Sequence, residues 1–142
     1  MSSLAALLDR YFWSRHANPR SVWLLVALYP LLVLAIYRRQ RSLLAGAVLL
    51  AGTGIVAFPP PEDDSAWATS VVRGERAWVE AGLLSSPGDL LLVVGAAPLY
   101  LFTLRAAARR QPLRTLLGTA VSLPLMFVFF HRMAQLADTG ED

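Results

Sequence analysis

The chain has 142 residues, 56% hydrophobic and 16% charged, with a formal net charge of +3 and no cysteine. Soluble domains average roughly 45–50% apolar and about 25% charged residues. This chain therefore lacks the polar groups to clothe a water-soluble fold of its length, and its mean hydropathy of +0.49 points to lipid. The missing cysteine excludes disulfides, thiolate metal sites and cysteine nucleophiles.

The first segment, 3–14, places Leu4, Leu7, Leu8, Tyr11 and Phe12 on one helical face, with Asp9 and Arg10 toward the other. That pattern predicts an amphipathic helix lying in the membrane interface. In a signal peptide the basic residues would precede the apolar core. Asn18-Pro19 then reads as a helix cap followed by proline at the first helical position.

Four apolar runs follow, at 21–37, 42–58, 88–104 and 115–130. Each is about 16–17 residues, at the short end of the roughly 17–25 that cross a bilayer. The expectation is an all-α membrane protein, a single domain over 1–142 with four short transmembrane helices. Trp23 near the start of the first run, and Tyr37 with Arg38 and Arg39 at its end, suit the water–lipid boundary. Pro30, Pro98 and Pro124 interrupt three runs, where neighbouring helices can satisfy the freed carbonyls. Ala47 and Ala51 are four apart in the second, a spacing that lets helices approach closely. No run carries a charge at its centre, which argues against a proton pump or an ion-coupled carrier.

Between the second and third runs, Pro59-Pro60-Pro61 and Glu62-Asp63-Asp64 introduce a second amphipathic segment, 65–83. Trp67, Val71, Gly74, Trp78 and Ala81 form its stripe, while Arg73, Arg76 and Glu80 lie off it. It too reads as an interfacial helix.

Four crossings put both termini and the middle loop on one membrane face. The other face then holds two short turns carrying Arg38, Arg39, Arg41, Arg105, Arg109, Arg110 and Arg114 and no acidic residue. Short basic loops favour the cytoplasm, so the turns are expected inside and the termini outside. Arg105, Arg109, Arg110 and Arg114 are candidate lipid-headgroup contacts, because guanidinium forks match phosphate geometry.

Several segments carry a family resemblance. Ser14-Arg15-His16-Ala17-Asn18-Pro19-Arg20-Ser21-Val22-Trp23, Gly74-Glu75-Arg76-Ala77-Trp78 and Phe130-His131-Arg132-Met133 resemble motifs of a family of small, mainly archaeal membrane proteins, the domain-of-unknown-function family 6653. The resemblance covers the whole length and implies a multi-pass membrane protein without bringing a known activity.

Candidate chemistry is sparse. His16, His131 and Glu75 are the metal-ligand candidates, drawn from three segments without a His-Glu-x-x-His type of spacing. Asn18, Pro19, Trp23, Glu75, Arg76, Trp78 and Arg132 read better as structural motif residues, with Glu75 and Arg76 expected to pair with Arg15, Arg132 or His16. No hydrolase elbow, phosphate loop or dinucleotide fingerprint is present, so no catalytic residue or cofactor is assigned. The reading is a cell-membrane structural or accessory subunit, assembled with itself or a larger membrane partner and contacting lipid rather than nucleic acid. The alternatives are an oligomeric small-solute channel or carrier, and a metal-dependent membrane enzyme that needs the two histidines to meet.

Overall fold

The computed structural model describes residues 3–139. The described residues form helices and connections, with no strand among them. The N-terminal segment is helical from α1 (Ser3–Leu8) through a π-helical turn (Asp9–Trp13) to α2 (Ser14–His16). Then come α3 (Pro19–Arg38), α4 (Arg41–Ala57), α5 (Trp67–Ala81), a 3₁₀ turn (Leu83–Ser85), α6 (Pro87–Ala108) and α7 (Pro112–Thr139).

Local chemistry sets the ends. The Asn18 side chain accepts a hydrogen bond from the Arg20 N–H (2.9 Å), and Pro19 supplies the fixed φ of the first position. Phe58, extended before three prolines, stops α4. Gly82, at φ 97, stops α5. The turns after α3 and α6 are built alike. Arg39 and Arg110 take left-handed φ values of 55 and 54. Their N–H groups bond the Ile36 and Ala107 carbonyls, while Gln40 and Gln111 bond the Ala35 and Ala106 carbonyls. This is the usual glycine-ended helix stop, made here with arginine.

α3, α6 and α7 are long and apolar enough to cross a membrane. α4 is apolar but shorter, at 17 residues. α3 and α4 form one antiparallel hairpin, α6 and α7 another, and α3 packs against α6 to join them. α7 continues as helix beyond Phe130 to Thr139, past the end of its apolar run. The reason is α5, which packs most extensively against α7 and covers Met133 and Ala134.

The interior is rich in small and polar side chains, and many large apolar ones lie outside. Ser21, Thr103 and Ser122 are fully buried, while Leu49, Leu91, Leu101 and Leu116 are 67–70% exposed. Such an inside-out distribution suits lipid as the surrounding solvent. Close helix approach depends on glycine. A Cβ on Gly118 would lie 2.3 Å from Thr103 Oγ1, and one on Gly74 would lie 1.7 Å from the Met133 carbonyl oxygen.

Candidate functional site

The polar residues gather at three levels of the bundle and in a mid-span group between the second and the third. The first is the junction of α2 and α3 with the end of α4. A helix leaves its last carbonyls without intrahelical partners, and here side chains reach two of them and a third carbonyl just past the helix end. Ser21 Oγ donates to the Gly54 carbonyl (2.8 Å), Arg15 Nη1 to the Val56 carbonyl (3.3 Å) and Asn18 Nδ2 to the Pro59 carbonyl (2.9 Å). Arg15 also brings positive charge to the negative end of the α4 dipole. His16 Nδ1 lies 2.9 Å from Ser21 Oγ. Because the Ser21 hydrogen is committed to Gly54, His16 Nδ1 is the donor in this pair. Burial lowers the His16 pKa below its ordinary 6.5 and keeps the ring neutral. Thr69 Oγ1 donates to the Ala17 carbonyl (2.8 Å), bringing α5 onto the same junction.

The second level is where α5 docks. Its stripe residues Val71, Gly74 and Trp78 are buried against α7, while Ala68, Thr69 and Val72 are buried toward Ala17 and Val22 of the first junction. The stripe read as interfacial is thus largely covered by the chain itself. Trp78 Nε1 donates to the Leu83 carbonyl (3.1 Å). Rings of Trp23, Trp67, Phe127 and Phe130 cluster with centroids about 6 Å apart, tying α3, α5 and α7 together at one depth. The expected ion-pair partners are corrected here. Arg76 pairs with Asp9 of the π-helical turn and with Glu80 (2.8 Å). Arg132 Nε donates to Asp89 Oδ1 (3.0 Å), whose other oxygen accepts from Ser86 Oγ (2.5 Å). Glu75 has neither a hydrogen bond nor an ion pair among the described residues. Burial pushes its pKa up to about 7.

His16 bonds Ser21 through Nδ1, His131 is exposed on α7, and no three potential ligands among the described residues converge on a metal position.

At mid-span depth, the Tyr29 and Ser122 hydroxyls share a hydrogen bond of 2.6 Å. Tyr100 donates to the Ser122 carbonyl (3.2 Å). These bonds link α3, α6 and α7. An adjoining cavity of about 510 Å³ runs between α6 and α7, with Trp78, Tyr100 and Phe129 in its walls.

The third level is the arginine end. Arg105, Arg109 and Arg114 line a cavity of about 260 Å³ with Phe102 and Gln111. Arg110 instead lies over the Tyr37 ring, 6.0 Å from its centroid, which brings the two arginine turns together.

Sequence reasoning missed Asp9, Asp89, Tyr29 and Tyr100. The Ser86-x-x-Asp89 spacing at the start of an apolar run was the available signal for one of them. The tyrosines carry no local signal, since Tyr29 meets Ser122 across 93 positions.

A family model described as a family of unknown function (DUF6653) matches residues 3–141. No curated protein and no solved structure matches the chain.

Proposed function

The chain belongs to the DUF6653 family, and we propose that it is a multi-pass membrane protein with four crossings that serves as a structural or accessory subunit. The fourth crossing is α4. Carbonyls of its last turn are bonded by Arg15 and Ser21, and Asn18 bonds Pro59 just beyond it; these are the residues that introduce α3. A helix that leaves the far end of α3 and returns to its beginning traverses the same thickness. At about 1.5 Å per residue its 17 residues give roughly 25 Å, which short flanking segments extend to a thin bilayer. The positive-inside bias places the arginine turns in the cytoplasm and α5 on the outer face.

The observation that carries the subunit role is where the polar groups go. Arg15, Asn18, Ser21, Thr69, Arg76 and Arg132 are all engaged in helix ends or in docking α5. The products of the sequence motifs are thus joints of a scaffold. The outer face of α4 remains for a membrane neighbour, with Val48 and Leu49 exposed and open space before Gly46 and Gly52. A photoreactive amino acid at Leu49 tests this in native membranes. A discrete adduct, to a second copy or to one other membrane protein, is the expected result. Adducts with lipid alone, together with monomeric migration after mild solubilisation, would contradict the role.

A further inference from the structure

We propose that Arg105, Arg109 and Arg114 form a phosphate-binding site in the cavity between the end of α6 and the start of α7. Three arginines line one cavity of about 260 Å³. None has a carboxylate partner among the described residues, in contrast to Arg76 and Arg132 at the other end. Their charge is therefore uncompensated at a place where the backbone adds to it. α7 begins here, with Thr115 N–H making its first bond to the Gln111 carbonyl, so the free N–H groups and the positive dipole end of α7 lie beside the arginines.

Arg110 is set apart by its geometry. Its left-handed backbone and its position over Tyr37 give it a turn-locking role, although its neighbours in sequence line the cavity. Simple topology-setting charge would make the four arginines equivalent. A built site makes three of them matter and one not. The chemistry recognised is a phosphate monoester or diester, which planar guanidinium forks bind in a bidentate manner. An anionic phospholipid headgroup and a free phosphate both present it. The inference stands apart from the subunit role, since it needs only the arginine end as folded.

The test uses the full chain in a neutral maltoside detergent, titrated with phosphatidylglycerol, with inorganic phosphate and with phosphate-free diacylglycerol. Native mass spectrometry reads the lipids and calorimetry reads phosphate. With roughly fivefold lost per arginine, Arg109→Gln weakens binding about fivefold and the triple change Arg105→Gln, Arg109→Gln, Arg114→Gln about a hundredfold. Arg110→Gln leaves affinity within about twofold. If phosphatidylglycerol shows this pattern the source is lipid, and if inorganic phosphate alone shows it the source is a soluble anion. Should the triple variant not fold, the Arg109 and Arg110 single variants decide the matter. Equal losses in those two variants, unchanged binding in both, or equally tight binding of diacylglycerol would overturn the site.

Discussion

Gly74→Ala examines the contact on which the α5 platform depends. Its Cβ would sit 1.7 Å from the Met133 carbonyl oxygen and 2.4 Å from the carbonyl carbon. Side-chain carbons do not approach closer than about 3.0 Å, so α5 must retreat by at least about 1.3 Å, or α7 must bend. The obstacle is backbone and cannot rotate away. A gap of 0.5–1 Å already forfeits about a quarter to a half of the dispersion energy, and Val71 and Trp78, which pack with Met133 and Ala134, would lose contact. Overpacking typically costs about 1–3 kcal/mol, and the upper end applies here. Gly46→Ala and Gly52→Ala meet open space and gain up to about 1 kcal/mol of helix propensity. In a maltoside thermal-denaturation series read by size-exclusion chromatography, Gly74→Ala melts roughly 6–12 °C below wild type, while the two controls match or exceed it. A Gly74→Ala protein as stable as wild type would refute the close crossing.

Three further substitutions probe the charges on α5, α6 and α7. Glu75 has a folded pKa of about 7, above its ordinary 4.5, so the folded state binds the extra proton between these values. Stability therefore falls as pH rises from about 4.5 to about 7 and then levels off. Glu75→Gln removes this component, which a wild-type minus variant melting series across pH reveals; a difference that does not vary with pH would contradict it. His16 acts oppositely, losing stability as pH drops below 6.5, and cancels in that difference. Arg132→Ala leaves Asp89, which is 1% exposed, with Ser86 as its remaining partner, and lowers stability. Adding Asp89→Asn to Arg132→Ala recovers most of that loss in the same thermal assay, whereas additive losses would argue against a coupled pair.

The long helices were legible because apolar runs, prolines and arginine turns mark them directly in the composition of each segment. The extension of α7 was not, because 131–139 loses the apolar continuity of a span, and its helix is supported by α5 from elsewhere in the chain. The stripe Trp67–Ala81 was visible as a face, but periodicity says only that a face is apolar. Whether lipid or protein covers it is a tertiary matter, and here Gly74 lets α7 approach closely enough to do so. In the same way the arginines were visible as a cluster. The division between Arg110 over Tyr37 and its three neighbours around a cavity depends on the left-handed turn, which residue type does not announce where glycine is the usual choice.

The four-crossing account is tested most directly by topology, and the absence of native cysteine makes single introduced thiols unambiguous. Gln40→Cys, Ser65→Cys, Ser85→Cys and Gln111→Cys report the four connections between the helices, labelled with a membrane-impermeant maleimide in sealed vesicles of known orientation. The account predicts that positions 40 and 111 label from one side and positions 65 and 85 from the other. Labelling of positions 40 and 65 from the same side would mean that α4 does not cross, and would contradict it.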